Sequence, residues 1–338
     1  MKKNYITFLN VIACFMVIVL HVNSFFWNFT YSKEWIFADF LESVAYCAVP
    51  IFFMISGANL IEYRKRYSTK LYFKKRIEKV GIPFLFWNII GMIIYIVIEN
   101  VKYSKINFKF ILDGIINSKF VGIYWFFIPL FTIYMTIPVY SLILEKYRKK
   151  YYLYMISLAL VTISVLPLCF KIIGIDYNSD LVTNIVGGYS MYVLIGYLLN
   201  KYEWKKKQTY LIYFFAIIGF IVHFLGTWYL SFKTGHINQL FKGYTNIPTV
   251  VYSIGIFCMF KNLIKIDNKK VIKLFEKISE KTFGIYLVHI YIIKGAEKIL
   301  NIDNSSIVYR ILAPAIIFVI AYCGVAIMKK IPILKRVV

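Results

Sequence analysis

The sequence is built from ten apolar stretches of about twenty residues each, separated by short segments that carry most of the charge. A helix needs roughly 20 apolar residues to cross a hydrocarbon core about 30 Å thick. The hydrophobic fraction of 60% also exceeds the roughly 45–50% that is usual in soluble domains. We therefore predict an all-α, polytopic membrane protein in which residues 1–338 form one domain. Its predicted transmembrane helices are 6–28, 37–61, 81–99, 123–144, 152–173, 183–200, 209–231, 247–264, 283–300 and 307–328.

The distribution of Lys and Arg predicts how these helices are oriented. If Lys2 and Lys3 lie in the cytoplasm, 29 of the 40 basic residues fall on the cytoplasmic side. Basic residues are enriched in the cytoplasmic loops of membrane proteins. An odd number of spans would break the alternation between the two sides, so we expect both the N and the C terminus to be cytoplasmic.

The net charge of +24 does not indicate a nucleic-acid-binding protein, because the basic residues form short clusters between apolar runs. The five cysteines lie inside apolar runs without paired spacing, so we predict neither disulfides nor a metal site. We expect membrane lipid around the bundle and no nucleic acid among its partners.

Polar side chains mark one face of the first predicted span. Asn10 and His21 share this face, because eleven residues at about 100° each return to nearly the same side of a helix. Asp39 and Glu42, one turn apart in the second span, are expected near the depth of His21. A histidine beside a carboxylate predicts a general base. The alternative interpretation is an interhelical hydrogen bond that stabilises the bundle.

Three further residues are candidates for the lining of a cavity. Ser56 belongs to a polar stripe along the second span, and Tyr286 and His289 share one face of the ninth. We expect His289 to lie several ångström nearer the cytoplasm than His21. A single buried histidine of this kind is also compatible with plain packing in the core.

Two interpretations are open for Trp125. It lies near the outer edge of a predicted span, where aromatic residues mark the membrane interface, and stacking on a sugar ring is the alternative. His223 and His236 are placed at or beyond outer helix ends, so we interpret both as interfacial residues.

The segment 64–79 holds the longest basic cluster in the sequence. One interpretation is orientation charge. The other is a phosphate clamp for a polyanionic nucleotide, since Arg and Lys at the mouth of a cavity bind phosphate groups. The candidate contacts are Arg64, Arg66, Lys75, Arg76 and Lys79.

Several passages of the sequence carry a resemblance to a known family. They are FLNVIA at 8–13 leading to His21, PIFFMISG at 50–57, KKRIEK at 74–79 followed by Pro83, YWFF at 124–127 and TFGIYLVH at 282–289. In order and spacing they resemble helices of the acyltransferase 3 family, whose members are bacterial integral membrane O-acyltransferases. The resemblance covers most of the chain and includes the ten-helix layout.

The resemblance implies a reaction and places it in the bacterial plasma membrane. The donor would be an acyl-CoA, with acetyl-CoA the expected case, bound from the cytoplasm with its phosphates on the segment 64–79. The acceptor would be a hydroxyl of a cell-surface glycan or of its lipid-linked sugar precursor. His21 would deprotonate this hydroxyl or briefly carry the acyl group, and Asp39 or Glu42 would orient its ring. Tyr286 and His289 would line the passage below it.

One position departs from the family pattern. In the family, an Arg precedes the catalytic His, with ten residues between the two. In this sequence the corresponding position is Asn10. An Arg would point at an anionic donor, whereas an amide forms hydrogen bonds but pairs no charge. Either Lys2, Lys3 or Arg76 replaces the missing cation, or the donor differs, or transfer is lost.

Two other functions remain open at this stage. A transporter or exporter of a small or lipid-linked polar molecule would have broken helices near the midplane, for which Gly187, Gly188 and Pro248 are weak signals. A structural partner in a polymer-synthesis complex would use the polar stripes to hold helices together. The sequence contains no stretch typical of an extracytoplasmic domain, so we expect an enzyme that acts alone.

Overall fold

The computed structural model describes residues 4–183, 185–264, 266 and 268–338, and within these ranges the chain is helical and contains no strand. Lys2 and Lys3, on which part of the predicted orientation rests, lie outside the described residues. Short 3₁₀ and π-helical turns connect or extend several of the α-helices. The α-helices are α1 Asn4–Val22, α2 Lys33–Ala45, α3 Ala48–Leu60, α4 Thr69–Arg76, α5 Ile82–Ile98, α6 Phe108–Ile116, α7 Phe127–Tyr140, α8 Glu145–Ala159, α9 Leu166–Ile172, α10 Ser190–Lys201, α11 Lys206–Thr234, α12 Ile247–Leu263, α13 Lys269–Ser279, α14 Thr282–Leu300 and α15 Ile307–Met328.

Each of the ten predicted spans overlaps at least one of these helices, so the all-α prediction is confirmed for the described residues. Seven helical stretches of that part of the chain are long and apolar enough to cross a membrane. They are Asn4–Val22, Lys33–Lys65, Thr69–Ile98, Gly122–Tyr140, Glu145–Ile172, Lys206–Thr234 and Ile307–Met328.

The other three predicted spans differ from these seven in length or charge. Helix α10 has 12 residues and α12 has 17, which is shorter than the roughly 20 residues that a perpendicular crossing needs. Helix α14 has 19 residues but carries Lys294, Glu297 and Lys298. The count of ten spans and the side on which the termini lie therefore stay predictions.

The second predicted span is broken into two helices, and Pro50 explains the break. Proline has no N–H, and its ring clashes with the carbonyl four residues earlier, here that of Tyr46. Helix α2 accordingly ends at Ala45 and α3 begins at Ala48, which puts Pro50 in the first turn, where its missing N–H costs nothing. The break leaves Tyr46 at the junction of the two helices, beside the cavity described below.

Helices α3 and α10 pack with their backbones in contact. A Cβ on Gly57 would lie 1.8 Å from the carbonyl oxygen of Val193, and one on Gly196 would lie 2.1 Å from that of Met54. Glycines permit such close approach in helical membrane proteins. Every residue from 190 to 199 is buried. Helix α10 is thus surrounded by protein, which is the usual environment of a helix that is apolar on all sides.

Helix α1 lies at the centre of the bundle. It contacts α2, α3, α12, α13, α14 and α15. The polar face predicted for this helix is therefore surrounded by protein, and its residues Asn10 and His21 face neighbouring helices and two cavities.

Candidate active site

His21 lies one residue before the end of α1, and buried polar contacts fix the end of this helix. Asn23 donates from Nδ2 to the carbonyl of Ala38 at 2.8 Å. The Arg310 guanidinium, which is 1% exposed, donates to the carbonyl of Glu34 at 2.9 Å. Buried polar groups are costly when they lose their partners. These contacts therefore hold α1 against α2 and α15 and position His21.

The nearest aromatic neighbour of the His21 ring is a second histidine. The ring centroids of His21 and His289 are 5.3 Å apart, with 35° between the ring planes. His289 therefore lies beside His21, and the predicted difference in depth between the two rings stays a prediction. Counting residues along each helix did not show that the two rings are neighbours.

The backbone fixes the tautomer of a neutral His289. Its Nδ1 lies 2.7 Å from the carbonyl oxygen of Tyr286 and 3.2 Å from that of Ile285. Carbonyl oxygens only accept hydrogen bonds, so Nδ1 carries the proton and Nε2 has the free lone pair. That Nε2 is buried and has no hydrogen-bond partner among the described residues. In this pair, His21 is a base beside a cavity, and His289 is a second base behind the His21 ring.

His21 faces a cavity of about 230 Å³, called here the His21 cavity. Four of the predicted site residues line it, and two tyrosines that were not among the predicted site residues also line it. The four are His21, Glu42, Trp125 and Tyr286, and the two are Tyr46 and Tyr244. The prediction that a cavity surrounds His21 agrees with this geometry.

The carboxylates of Asp39 and Glu42 do not contact the His21 ring through a hydrogen bond. Among the described residues, Glu42 accepts from Lys242 Nζ at 3.1 Å through Oε1, while its Oε2 and both oxygens of Asp39 have no partner. The sequence predicted that one of these groups orients His21. In this structure Glu42 instead pairs with a lysine from the loop between α11 and α12.

Lys242 is the residue of the site that sequence reasoning missed most clearly. Its side chain is 0% exposed, and its ammonium group lies 4.0 Å from the ring centroid of Tyr46 and 4.3 Å from that of Phe26. Burial lowers the pKa of Lys242 from its ordinary value, and the nearby Glu42 carboxylate opposes that shift. Asp39 and Glu42 are the acidic groups that compensate this buried cation.

Trp125 belongs to a stack of three rings beside the His21 cavity. Trp125 and Tyr244 are stacked at 5.4 Å, and Tyr244 and Tyr46 are stacked at 4.3 Å with 7° between the planes. The position of Trp125 therefore favours a role in the cavity over the membrane-interface interpretation. A flat aromatic surface of this kind suits the apolar face of a sugar ring.

A second cavity, of about 160 Å³, lies further along α1 towards the basic segment 64–79. It is called here the Asn10 cavity, and Asn10, Ser56 and Tyr286 line it. Asn10 and His21 are separated by eleven residues, which corresponds to roughly 16 Å along the helix axis at about 1.5 Å per residue. The site residues predicted on α1 and α3 are thus distributed over two cavities at different depths.

Three aromatic rings form the boundary between the two cavities. Phe52, Phe126 and Tyr286 line both of them and are called here the aromatic wall. The ring centroids of Phe52 and Phe126 are 6.1 Å apart, and those of Phe126 and Tyr286 are 5.7 Å apart. Tyr286 is held in place by its hydroxyl, which donates to the carbonyl of Ile123 at 2.6 Å. A movement of these side chains would join the cavities into one passage.

Among the five residues predicted to contact phosphate, Arg76 lies against the wall of the Asn10 cavity. Its guanidinium lies 5.4 Å from the ring centroid of Tyr134, which lines that cavity, and 5.8 Å from that of Tyr72. The Nε atom of Arg76 is buried without a hydrogen-bond partner among the described residues. This leaves a charged donor available beside the cavity.

The other basic residues of the segment make local contacts. Arg64 donates from Nε to Ser141 Oγ at 2.7 Å, and Arg66 donates to the carbonyl of Asn59. Lys75 lies 4.1 Å from the ring centroid of Tyr67, and Lys79 is exposed. Arg64 and Arg66 therefore stabilise helix ends, while the ammonium groups of Lys75 and Lys79 are not held by an ion pair in the described part of the chain.

His223 corrects one interpretation made from the sequence. It is 0% exposed and lies within α11, with Nδ1 3.3 Å from Thr249 Oγ1. Its ring packs edge-on against Tyr46 at 4.9 Å. His223 is therefore a buried residue behind the ring stack and not an interfacial one, while His236 is exposed, as predicted.

Comparison with known proteins identifies the family of the chain. No curated protein and no solved structure gives a significant match. The model of the acyltransferase 3 family, which is described as an acyltransferase domain, matches residues 3–329 and thus nearly the whole chain. The resemblance noted in the sequence is confirmed by this match, and the chain belongs to the acyltransferase 3 family of membrane proteins.

Proposed function

We propose that this acyltransferase moves an acyl group from acyl-CoA, with acetyl-CoA the expected donor, to a hydroxyl of a cell-surface glycan or of its lipid-linked precursor. The observation that carries the proposal is the pair of cavities on α1. One contains an imidazole and an aromatic stack, and the other lies towards the basic segment. Two substrates of different polarity thus have separate routes to one base.

The donor would enter at the basic end of the bundle, which we expect to face the cytoplasm because basic residues are enriched in cytoplasmic loops. Its phosphates would bind Arg76, Lys75 and Lys79, because phosphate groups pair well with guanidinium and ammonium donors. The pantetheine arm would follow the Asn10 cavity, where Asn10 and Ser56 offer neutral hydrogen-bonding groups to its amides. The thioester would then meet the aromatic wall just below His21.

The acceptor would occupy the His21 cavity from the opposite side. A sugar ring would stack on Trp125, at one end of the three-ring stack, and present one hydroxyl to His21. His21 accepts the hydroxyl proton as the oxygen attacks the thioester carbonyl. When the tetrahedral intermediate collapses, the C–S bond breaks and the imidazolium returns the proton to the leaving thiolate, so that the products are the ester and free CoA.

His289 would act as a positioning residue in this reaction. Its Nε2 lone pair is buried beside the His21 ring and is free to accept a hydrogen bond from a protonated imidazole nitrogen. Such a contact would fix the tautomer of His21 and stabilise its charged form. His289 thus takes the role that the sequence assigned to Asp39 or Glu42.

The test compares His21→Ala with His236→Ala, a matched change at an exposed histidine. Purified protein would be given acetyl-CoA and a glycan acceptor, and both free CoA and acylated acceptor would be measured. We expect a loss of about 10²–10⁴-fold for His21→Ala, the usual contribution of general base catalysis, and no change for His236→Ala. Equal activity of the two variants at equal protein levels would refute the role of His21.

A transport function is the second candidate, because two cavities separated by a thin wall also suit alternating access. The two functions can be distinguished by whether free CoA is produced. An acyltransferase releases one CoA for each acylated acceptor, whereas an exporter moves its substrate without acyl-CoA. Substrate flux through proteoliposomes that continues in the absence of acyl-CoA would favour transport.

A further inference from the structure

A third cavity, of about 520 Å³, opens between α5 and α14. It is called here the lateral cavity. Much of its lining is apolar and comes from both helices and from the segment that joins α6 to α7, including Ile94, Ile98, Phe120 and Ile290. An opening of this kind on the side of a membrane-embedded bundle faces the hydrocarbon chains of the bilayer, so it suits an apolar chain.

Charged residues are concentrated at one end of the lateral cavity. Lys294 and Lys298, one turn apart on α14, line it together with Glu99 at the end of α5. Both lysines are exposed, and neither forms an ion pair within the described residues. Glu297, on the same helix, accepts instead from the hydroxyl of Tyr309 on α15 at 3.4 Å. The positive charges of α14 are thus directed to the cavity, while its negative charge faces another helix.

The lateral cavity adjoins the His21 cavity. Ile123 lines both of them, and its carbonyl accepts the hydrogen bond from Tyr286, a member of the aromatic wall. Gly122, beside it, also lines the lateral cavity and has no atom within 4 Å of the place where a Cβ would lie. A group attached to a molecule in the lateral cavity therefore has a short route to His21.

We propose that the lateral cavity binds the chain and phosphate of a polyprenyl-phosphate-linked sugar, so that the attached sugar reaches the His21 cavity past Ile123. The apolar lining receives the chain, and Lys294 and Lys298 bind the phosphate, since ammonium groups near a membrane surface attract anionic head groups. The proposal rests on the proposed function, because it assigns the acceptor to the lipid-linked class. Charged residues within a helix of a membrane bundle are costly, and they commonly mark a substrate path.

The first experiment measures binding, which does not depend on acyl transfer. Purified protein in nanodiscs would be titrated with a polyprenyl phosphate, with the corresponding polyprenol and with phosphatidylglycerol. We expect Lys294→Gln/Lys298→Gln to weaken binding of the polyprenyl phosphate by about 25-fold, at about fivefold for each lysine, and to leave polyprenol binding unchanged. Glu99→Gln should strengthen binding of the phosphate, because it removes a negative charge from the same lining.

The matched control for charge is Lys105→Gln/Lys109→Gln, which removes two exposed lysines outside the cavity. An equal loss of binding in this control would show that general surface charge attracts the lipid, and the proposal would be wrong. Displacement of the polyprenyl phosphate by phosphatidylglycerol at equal concentration would assign the cavity to bulk phospholipid, and this result would also overturn the proposal.

The second experiment fills the cavity without disturbing the fold. Gly295 lines the lateral cavity and Gly324 does not, yet a Cβ at either position would meet no atom within 4 Å. Leucine is favourable in a helix, so Gly295→Leu and Gly324→Leu should both fold. We expect Gly295→Leu to lose at least tenfold in polyprenyl phosphate binding, and Gly324→Leu to bind like the unmodified protein.

The two readouts separate the possible failures. If the unmodified protein releases no CoA but binding depends on Lys294 and Lys298, the proposed reaction is wrong and the lipid site stands. If CoA is released and both Gly295→Leu and the lysine variants bind the lipid normally, the reaction stands and the lateral cavity is not the acceptor site.

Discussion

The buried pair of Lys242 and Glu42 gives a prediction whose size follows from the structure. The two groups lie 3.1 Å apart with side-chain exposures of 0% and 4%, and Asp39 adds a second carboxylate that has no hydrogen-bond partner among the described residues. Removal of one member of a buried ion pair leaves the other charge without compensation and costs about 3–5 kcal/mol. We therefore expect Lys242→Met to be strongly destabilising.

The acidic partners then determine a ranking of variants. In Lys242→Met two buried carboxylates are left without a cation, so this change should be the most harmful single substitution of the three. Glu42→Gln leaves Lys242 with Asp39 still nearby, so its cost should be smaller. The combination of Lys242→Met with Glu42→Gln should recover part of the loss, and the addition of Asp39→Asn should recover more, because each step removes an uncompensated charge.

Thermal unfolding of the purified protein in one fixed detergent measures this ranking. A cost of about 3–5 kcal/mol corresponds to a decrease in Tm of roughly 6–20 °C, by extension from domains of 150–250 residues. Lys233→Met, at an exposed lysine near the end of α11, is the matched control and should change Tm little. If Lys242→Met behaved like Lys233→Met, or if the triple variant were the least stable of the series, the assignment of a compensated buried charge would be wrong.

Three further substitutions test other parts of the structure. Gly57→Ala should lower Tm, because its Cβ would lie 1.8 Å from the backbone oxygen of Val193, whereas Gly324→Ala should not. Arg76→Gln should raise KM for acyl-CoA by about tenfold or more, since a charge-assisted contact to phosphate is worth about 1.5–3 kcal/mol, and an unchanged KM would remove Arg76 from the donor site. Phe52→Ala, which removes one ring of the aromatic wall, should increase CoA release without acceptor relative to acylation, because water would then reach the thioester more easily. Unchanged coupling between CoA release and acylation would show that the wall does not exclude water.

The sequence predicted the features that depend on local periodicity. The helical spacing of Asn10 and His21 placed both on one face of α1, and the structure places that face against two cavities. Each apolar run overlaps a helical region, although several ends differ, as for α1, which ends at Val22 and not at 28, and α10, which begins at Ser190 and not at 183. The break of the second span at Tyr46 could also have been predicted from the sequence, since Pro50 disfavours a regular helix four residues earlier. That span was instead predicted as one helix.

Features that depend on contacts between distant segments were not predictable in the same way. Lys242 and Glu42 are 200 residues apart in the chain, and a lysine in a polar loop resembles any exposed lysine until the loop folds over the bundle. The proximity of His289 to His21 depends on how α14 packs against α1. One signal was nevertheless present for Lys242, because Asp39 and Glu42 are too costly to bury without a nearby cation.

Asn10 lies at the position where the family resemblance led us to expect an Arg. Its Nδ2 donates to Ser279 Oγ at 2.9 Å and to Thr282 Oγ1 at 2.8 Å, so the amide joins α1 to the residues around the start of α14. A neutral link between helices therefore lies where the resemblance implies a positive charge. Arg76, with a buried Nε that lacks a partner among the described residues, lies against Tyr134 in the wall of the same cavity.

An unpartnered charged donor in a buried position is costly unless a ligand satisfies it. The planar guanidinium of Arg76 presents several N–H donors in a fixed arrangement, so it can pair with an anionic donor where Asn10 cannot. Arg76, at the C-terminal end of α4, is therefore the residue that we expect to supply the positive charge of the proposed donor site. Its Nε has no partner among the described residues and its guanidinium lies against the wall of the Asn10 cavity, whereas the Asn10 amide nitrogen already donates to Ser279 and Thr282.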